Sequence, residues 1–439
     1  MTTKSLTKNH PLAGKKMMGA DMIVQILADE GVDTIFGYSG GAILPTYDAV
    51  FRFNEENKDS DGNQPMPLIV PANEQGAGFM ASGYARASGK VGVVMVTSGP
   101  GATNTVTPIR DCMADSIPIV VISGQVPTTA IGTDAFQEAP VSAIMGAVSK
   151  HIFLVTDPLL LESTIRSAFE LAKTGRPGPV VVDIPKDIQN WEGEFLGSGS
   201  LPLTGYRNRL ETVMNNNLND ELAKNFYKLL SKSKKPLIYA GGGVINADAS
   251  SQLRQFSETY KIPIVTTLMA LGASDTTKSL SLHMLGMHGL ASANYAVEDC
   301  DFLIAIGARF DDRVAGDPKG FAPNAKKIAH FDIDISEINK VKSVDWYHVG
   351  NLKKDLNDLI ALGKKIEFVS DFSGWHSHIE KLKEEYKLNY NKNSELIQPY
   401  EVIEEINKLS RGEAIISTGV GQHQMWAAQY FDYKEPRLW

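Results

Sequence analysis

Five short, almost purely apolar runs constrain the fold of this chain more than any other feature of its sequence. Each is followed by a glycine-rich or polar turn and then by a helix-like segment; the runs are residues 91–96, 117–122, 179–184, 236–240 and 302–306. Strands of this kind are buried on both faces, and their alternation with helices is typical of βαβ units. The pattern predicts an α/β protein with successive doubly wound parallel sheets, in which ligands bind at the carboxyl ends of the strands.

Length and breaks in composition predict how the chain is divided. A chain of 439 residues exceeds one hydrophobic core, because single domains usually have about 100–200 residues. Turn formers without apolar periodicity indicate a linker at 191–217, and interleaved Lys and Glu indicate a charged helical connector at 371–395. We therefore predict an N-terminal domain at 17–190, a central domain at 218–370, and at 396–439 the helix, strand and loop that begin a truncated C-terminal domain.

Charge and cysteine content exclude several classes of protein. The net charge is −8, with acidic and basic residues interspersed, so we expect no nucleic-acid partner and no membrane surface partner. Cys112 and Cys300 are far apart, which excludes a disulfide framework and a cysteine-rich zinc site. The first 19 residues contain lysines but no apolar signal region, and we interpret them as a frayed terminus. A cytoplasmic protein that acts on small molecules is expected.

Glu74 is the first candidate functional residue. It lies in VPANEQGAGFMASGYARASG, at the first turn of a predicted helix whose small and apolar residues have helical spacing. A carboxylate at this position can simply complement the helix dipole, which is worth about 0.3–1 kcal/mol. The neighbouring motifs bear on whether it also has a functional role.

Two glycine-dense loops flank this segment. They are IFGYSGGAILP, with Gly37, Gly40 and Gly41, and VTSGPGATNT, with Gly99, Gly101 and Asn104. Both follow apolar runs and open helices, so their backbone can approach a ligand closely. The alternative for each loop is a tight turn that needs a positive φ.

Together with GTDAFQE and PGPVVVDIPKD, these motifs have the order and spacing found in acetohydroxyacid synthase (acetolactate synthase) catalytic subunits, and the chain resembles that family from about residue 18 to residue 439. Further matching motifs are TGRPGPV, LHMLGMHGLASANYA, AIGARFDDRVAG, HFDIDISEINK and STGVGQHQMWAAQYF. The resemblance implies a pyrimidine-binding domain for thiamin diphosphate, followed by a Rossmann-like domain that binds FAD.

The resemblance also implies roles for residues of the N-terminal domain. Glu74 is expected to hydrogen-bond N1′ of the aminopyrimidine of thiamin diphosphate. Gly41, Gln137 and Lys186 are expected to line the active site, with Phe136 on the substrate channel. A solvated lysine at the end of a strand is the alternative for Lys186, and a hydrogen bond within its loop is the alternative for Gln137.

The resemblance implies a set of FAD contacts, all but Arg176 in the central domain. The full set is Arg176, Gly241, Gly242, Gly243, Met284, Leu285, Gly286, Met287, His288, Gly289, Gly307, Ala308, Arg309, Asp332 and Ile333. Gly241 and Gly243 form G-x-G, but Asn246 replaces the third glycine of a dinucleotide fingerprint. Asp332 also stands where a Rossmann-like sheet carries its ribose-binding carboxylate; the alternative is an N-cap for the segment ISEINK.

Three further expectations concern substrate, diphosphate and metal. Arg313 corresponds to the family arginine that binds the acceptor carboxylate; an ion pair with Asp311 or Asp312 is the alternative. Gln422 and His423 are expected at the diphosphate, and the Mg²⁺ ligands are expected beyond residue 439. His283 and His288 are not interpreted as a metal site, because no carboxylate accompanies them. The chain departs from the family at Ala72 and Asn73, where Arg-His is usual, and at Asn351, where Asp is usual.

The function that the resemblance implies is synthesis of acetolactate, in which pyruvate loses carbon dioxide and its two-carbon unit joins pyruvate or 2-oxobutyrate. This reaction belongs to valine, leucine and isoleucine biosynthesis. A homodimer or higher oligomer with shared active sites and a small regulatory subunit are the implied partners. An FAD-dependent pyruvate oxidase and a catalytically inactive truncated chain are the alternatives.

Overall fold

The computed structural model describes residues 10–392 and 394–439, and the chain divides into two compact units between Thr204 and Gly205. Residues 1–9, part of the segment predicted to be frayed, and Asn393, in the predicted connector, lie outside the described residues.

The first unit contains a parallel sheet flanked by helices. Its strands are β1 (Lys16–Met18), β2 (Ile35–Tyr38), β3 (Leu68–Ile69), β4 (Gly92–Val96), β5 (Ile119–Gln125), β6 (His151–Leu154), β7 (Val180–Pro185) and β8 (Glu192–Glu194). Its helices are α1 (Gly19–Asp29), α2 (Leu44–Asn57), α3 (Glu74–Ser88), α4 (Pro100–Thr103), α5 (Val106–Asp115), α6 (Val141–Gly146), α7 (Leu161–Lys173) and α8 (Lys186–Gln189).

Six of these strands form one sheet in the order β3-β2-β4-β5-β7-β6, and each neighbouring pair is parallel. The central strands β4, β5 and β7 are buried throughout. Along the chain the sheet grows from β2 to β3 in one direction and from β4 onwards in the other. This reversal places a topological switch point between β2 and β4, where ligands of doubly wound sheets bind.

The last residues of the segment that was predicted to be frayed form a β-strand. Residues Lys16–Met18 pair antiparallel with Glu192–Glu194. The prediction of a frayed terminus is therefore wrong for these residues, because their backbone groups are satisfied by β8.

The second unit is also built on a parallel sheet. Its strands are β9 (Pro236–Ala240), β10 (Ile264–Thr266), β11 (Ser281–Met284), β12 (Phe302–Ile306), β13 (Lys327–Asp332) and β14 (Trp346–Val349). The helices from residue 204 onward are α9 (Thr204–Met214), α10 (Asp220–Leu230), α11 (Gly243–Asn246), α12 (Ser250–Tyr260), α13 (Ala291–Asp299), α14 (Asp312–Ala315), α15 (Leu352–Lys365), α16 (Ser373–Glu385), α17 (Pro399–Ser410) and α18 (Gln422–Tyr430).

The strand order of this second sheet is β11-β10-β9-β12-β13-β14, and its pairs are parallel. Numbered within the sheet, the order is 3-2-1-4-5-6, which is that of dinucleotide-binding folds. Its switch point lies between β9 and β12. The two sheets confirm the predicted fold class of successive doubly wound parallel sheets, the second of them Rossmann-like.

Two regions differ from the secondary structure that the sequence suggested. Helix α9 lies within residues 191–217, where turn formers alone had been expected. The strand expected after α17 is wrong: residues 413–420 adopt no regular structure, and Val420 is 93% exposed. A β-strand needs a row of hydrogen bonds to a neighbouring strand. In the described backbone, this segment instead makes a single bond to residues near the end of the chain, from the Ile416 N–H to the Leu438 carbonyl. Across the described residues, no helix combines the length and apolarity that crossing a membrane requires.

Candidate functional site

Two loops at the switch point of the first sheet lie against each other. Residues 39–43 follow β2 and residues 97–99 follow β4. The Ala42 N–H donates to Thr97 Oγ1 at 3.3 Å. A Cβ on Gly40 would lie 2.5 Å from Thr97 Cγ2, so only glycine allows this approach. The glycine loops of the sequence motifs therefore meet at the edge of the sheet where a ligand is expected.

Glycine is present at the positions of these loops for different structural reasons. Gly99 has a φ of +53°, which agrees with the tight-turn interpretation. Gly37 and Gly101 do not have positive φ; instead, a Cβ would lie 2.4 Å from the Met95 carbonyl at Gly37 and 2.7 Å from Thr97 at Gly101. Gly41 is exposed, and nothing lies within 4 Å of the position its Cβ would take. Gly41 thus presents bare backbone to open space.

Glu74 is the first residue of α3 and is only 8% exposed. Its place is set by Asn73, whose side chain caps the helix by accepting a hydrogen bond from the Gly76 N–H at 2.8 Å. Asn104 Nδ2 donates to Glu74 Oε2 at 2.9 Å. Oε1 of Glu74 accepts no hydrogen bond from any described residue. A solvated charge would suffice to complement the helix dipole, so this burial favours the functional interpretation.

Tyr47 is a second buried group beside Glu74. Burial, together with the negative charge of Glu74, raises the pKa of Tyr47 above its ordinary value of 10.0. The Tyr47 hydroxyl donates to the Met95 carbonyl at 3.0 Å. Tyr47 therefore stays protonated and anchors α2 against β4.

The loop of GTDAFQE packs onto the loop that follows β4. Gln137 is a non-glycine residue with a φ of +60°, and its carbonyl oxygen lies 2.4 Å from where a Cβ of Gly99 would be. Hydrogen bonds from the backbone N–H groups of Gly132 and Ala135 hold the pKa of Glu138 below its usual range. Phe136 is 89% exposed. The loop thus presents an unpacked aromatic ring beside the switch point.

Lys186 opens α8 directly after β7 and is half-buried. Its ammonium group has no hydrogen-bond or ion-pair partner among the described residues. Within the described part of the chain, the side chains of Glu74, Gln137 and Lys186 make no hydrogen bond with one another. They lie at the same edge of one sheet but do not form a hydrogen-bonded cluster.

Gln189 connects the Lys186 segment to the first glycine loop. It is fully buried. Its Nε2 donates to the Ala42 carbonyl at 2.8 Å and to the Ile184 carbonyl at 3.0 Å, and its Oε1 accepts from Thr46 Oγ1 at 2.9 Å. One amide thus joins the end of β7, the loop beside Gly41 and the first turn of α2.

Asp183 is a buried acid in the middle of the sheet. It lies in β7 and is 1% exposed. Gln125 Nε2 donates to Asp183 Oδ2 at 2.9 Å, while Oδ1 is buried without a partner among the described residues. Burial raises the pKa of Asp183 from 3.8 to about 7.

The switch point of the second sheet carries the motifs expected to bind FAD. The Gly243 N–H donates to the Gly307 carbonyl at 3.0 Å. A Cβ on Gly241 would lie 2.2 Å from that same carbonyl oxygen. Two glycine-containing loops, 241–243 after β9 and 307–309 after β12, are therefore in direct backbone contact.

The segment Met284–Gly289 and Arg313 are also brought together. The Met287 N–H donates to the Arg313 carbonyl at 2.9 Å, and Gly286, with a φ of +97°, leaves room for that carbonyl. The Arg313 guanidinium is exposed and lies 3.3 Å from Asp312 Oδ2. The ion-pair alternative is thus present, but an exposed pair contributes only about 0–1 kcal/mol.

Asp332 ends β13, and its Oδ1 accepts the Asp334 N–H at 2.9 Å. The N-cap of the following turn is Asp334, which accepts from the Ser336 N–H at 3.0 Å; the N-cap alternative for Asp332 is therefore wrong. Ribose-binding acids of dinucleotide folds lie about 20 residues beyond the glycine loop. Asp332 lies much later, on the β12 side of the switch point, and so does not occupy that position.

Three further candidates are Arg176, Gln422 and His423. Arg176 belongs to the first unit, where its Nε donates to Ser116 Oγ at 2.9 Å. Gln422 and His423 are exposed at the start of α18, after Gly421. Among residues 10–392 and 394–439, no group of three or more His, Cys, Asp or Glu side chains is arranged to hold a metal ion.

Three residues of these sites were missed by the sequence analysis. Asp183 interrupts the otherwise apolar run VVVDIP, and that interruption was a usable signal. Gln189 gave no local signal, because its partners are distant in sequence. Thr267 follows β10 at the carboxyl edge of the second sheet, and its buried hydroxyl has no partner among the described residues. An unsatisfied buried hydroxyl at this edge is compatible with a ligand contact.

Comparison with known proteins matches both units to one class of enzyme. Residues 17–144 match the N-terminal TPP binding domain of thiamine pyrophosphate enzymes. Residues 223–359 match the central domain of thiamine pyrophosphate enzymes. Thiamine pyrophosphate is another name for thiamin diphosphate.

Individual relatives match almost the whole chain. An acetolactate synthase large subunit from Corynebacterium glutamicum is 45% identical over 99% of this chain and 67% of its own length. A chloroplastic acetolactate synthase from Arabidopsis thaliana is 44% identical over 96% of this chain and 61% of its own length. One from Oryza sativa subsp. japonica is 45% identical over 96% of this chain and 63% of its own length. The chain thus spans between 61% and 67% of the length of these relatives.

Proposed function

The chain belongs to the acetolactate synthase family of thiamine pyrophosphate enzymes, and on this premise we propose that it catalyses acetolactate synthesis. In this reaction, pyruvate loses carbon dioxide and its two-carbon unit is joined to a second pyruvate or to 2-oxobutyrate, as in valine, leucine and isoleucine biosynthesis. The observation that carries the proposal is the buried Glu74 carboxylate, whose Oε1 has no partner among the described residues, beside two glycine loops at a switch point.

The residues at this switch point fit the pyrimidine end of thiamin diphosphate. When bound, that cofactor supplies the electron sink for loss of carbon dioxide from a 2-oxo acid. Glu74 Oε1 is the available acceptor for N1′–H, and the buried carboxylate holds the proton shared at that position. Gly41 presents backbone without a side chain. Glu74 is therefore the residue that we assign to cofactor activation.

Gln137, Lys186 and Phe136 are the proposed substrate contacts of the first unit. A half-buried, unpaired ammonium at Lys186 can attract the carboxylate of a 2-oxo acid. Gln137 offers amide donors from a loop that packs on Gly99. The exposed Phe136 ring provides an apolar wall. In the second unit, we propose that Arg313 binds the carboxylate of the acceptor, because its exposed guanidinium is only weakly paired.

We propose that the second unit binds FAD at its carboxyl edge. Support comes from the 3-2-1-4-5-6 strand order and from the contact between loops 241–243 and 307–309. The unsatisfied Thr267 hydroxyl at the same edge gives a polar group that a ligand can satisfy. The segment Met284–Gly289 and residues Asp332 and Ile333 remain proposed contacts, as does Arg176 of the first unit. For Gln422 and His423 we propose contact with the diphosphate.

Magnesium is part of the proposed holoenzyme, but the described residues do not supply a donor set for it. We also propose a homodimer and a small regulatory subunit. The dimer is proposed from the family, and the exposed apolar side chains of Phe51, Phe79 and Met80 on α2 and α3 are available to such an interface. Both cysteines are free and buried, which is compatible with the reducing cytoplasm that we propose as its location.

The test compares Glu74→Gln with the wild type in the full-length protein supplied with thiamin diphosphate, Mg²⁺ and FAD. Loss of the proton-sharing carboxylate is expected to reduce acetolactate formation about 10²- to 10⁴-fold. Glu56→Gln is the matched control, because Glu56 is an exposed glutamate of the same unit. Near-normal acetolactate formation by Glu74→Gln contradicts the assignment. Peroxide formation from pyruvate by the wild type, with no acetolactate, contradicts the proposed reaction.

A further inference from the structure

The side chain of Asn104 donates a hydrogen bond to the carboxylate of Glu74. Asn104 follows α4, and its Nδ2 lies 2.9 Å from Glu74 Oε2. A carboxylate oxygen accepts hydrogen bonds only, so the Asn104 amide must present its N–H₂ group to Glu74. Hydrogen bonds that involve an ionised partner are about twice as strong as neutral ones. The contact therefore links the loop after β4 to the first turn of α3.

This contact makes the two oxygens of Glu74 unequal. Oε2 is occupied by Asn104, whereas Oε1 has no hydrogen-bond partner among the described residues. Oε1 lies 3.6 Å from the position that a Cβ of Gly101 would take, so the glycine leaves space beside this free oxygen. A carboxylate held at one oxygen cannot rotate freely, and the other oxygen keeps one direction.

We propose that Asn104 is a positioning residue for Glu74: its amide fixes the carboxylate through Oε2 and leaves Oε1 as the acceptor for the cofactor. This inference rests on the proposed function of Glu74. Asn104 itself is exposed, so it contributes no core packing. Its substitution removes the hydrogen bond without opening a cavity.

The experiment uses three variants of the full-length protein. Asn104→Ala removes the donor, Asn104→Asp replaces it with a second carboxylate of the same shape, and Asn104→Gln restores an amide on a longer stem. Asn57→Ala is the matched control, because Asn57 is an exposed asparagine of the same unit whose side chain, among the described residues, bonds only to the Phe53 carbonyl of its own helix.

The first measurement is exchange of the thiazolium C2 proton of added thiamin diphosphate with deuterium, followed by proton NMR. From the usual strength of a hydrogen bond to a charged group, Asn104→Ala is expected to slow exchange about 10- to 100-fold. Asn104→Asp is expected to slow it further, because a carboxylate donates no hydrogen bond to Oε2 and repels the Glu74 carboxylate. Asn104→Gln should recover part of the rate, and Asn57→Ala should exchange like the wild type.

The second measurement needs no cofactor. Melting temperatures of the cofactor-free wild type, Asn104→Ala, Glu74→Ala and the double variant form a double-mutant cycle, because each single variant removes one partner of the hydrogen bond. Coupling of the two side chains makes the single shifts non-additive by about 2–4 °C. Additive shifts overturn the proposed contact.

The outcomes separate the two proposals. If the wild type does not accelerate C2 exchange, the proposed function and the role of Asn104 both fail. If the wild type accelerates exchange and Asn104→Ala matches Asn57→Ala, only the role of Asn104 fails. Slow exchange in Asn104→Ala with recovery in Asn104→Gln supports both.

Discussion

Replacement of Asp183 by asparagine is predicted to stabilise the first unit above pH 7 and not below pH 5. The Asp183 carboxyl is buried in β7, where Gln125 Nε2 bonds to one oxygen and the other is unpartnered. Removal from water disfavours the ionised form, and burial raises the pKa of Asp183 from 3.8 to about 7. The folded protein therefore holds a proton here that the unfolded chain releases at a lower pH.

The sign and size of the effect follow from that difference. Between pH 3.8 and about 7 the native state binds the proton and the unfolded state does not, so the free energy of unfolding falls as the pH rises through this window. The pKa difference corresponds to about 4 kcal/mol at ~1.36 kcal/mol per pKa unit. Asparagine removes this cost but places an amide N–H₂ group at the unpartnered oxygen, a penalty of about 1–3 kcal/mol. The net gain above pH 7 is about 1–3 kcal/mol.

Hydrogen exchange of the β5 and β7 amides measures this stability within one unit. The ratio of exchange rates between Asp183→Asn and wild type cancels the intrinsic dependence on pH. We expect slower exchange in the variant at pH 8 and equal or faster exchange at pH 5. Asp61→Asn is the control, because Asp61 is exposed in the same unit. Parallel pH profiles for Asp183→Asn and wild type would refute the reasoning.

Two further substitutions test the contacts that shape the switch points. Gln189→Leu nearly keeps the side-chain volume but leaves the Ala42 and Ile184 carbonyls and the Thr46 hydroxyl without their partner. We expect the free energy of unfolding, measured by thermal unfolding, to fall by about 1–3 kcal/mol. Hydrogen exchange should become faster in both 40–46 and 184–189. Unchanged exchange in either segment contradicts the link. Gly241→Ala places a Cβ 2.2 Å from the Gly307 carbonyl oxygen. This variant should lose about 1–3 kcal/mol of stability and should also lose flavin binding, measured by absorbance after reconstitution with FAD. The control is Gly374→Ala, whose Cβ would lie in open space on α16 and which should retain the flavin.

The apolar runs predicted the interior strands well. Strands β4, β5, β7, β9 and β12 all fall on or beside the five runs, because a strand buried on both faces has no alternative to apolar residues. Strand β13 was not among them. Its His330 interrupts the apolar pattern, yet that ring is fully buried; its Nε2 bonds to the Ala308 carbonyl at 2.8 Å, and its Nδ1 has no partner among the described residues. A buried polar residue whose partner comes from another loop conceals a strand from any argument based on periodicity.

The glycine loops and Glu74 were identifiable from their motifs, but their contacts were not. Gln189 and Ala42 are 147 residues apart along the chain, and Gly99 meets Gln137 through a backbone carbonyl. Such contacts depend on which strands become neighbours. The order β2-β4-β5-β7 brings these segments to one edge, and local sequence does not encode that order.

The incomplete dinucleotide fingerprint has a structural explanation in the second unit. The third glycine of that motif normally permits close packing between helix and strand. Here the segment after the glycine loop is the single turn α11, Gly243–Asn246, and the longer helix α12 begins only at Ser250. Asn246 ends that turn, so the long helix does not need a glycine there. Gly241 and Gly243 serve a different close approach, since both pack against Gly307 of the neighbouring loop. The glycines therefore allow close contact between two loops, and a search for the G-x-G motif detects only the first of these loops.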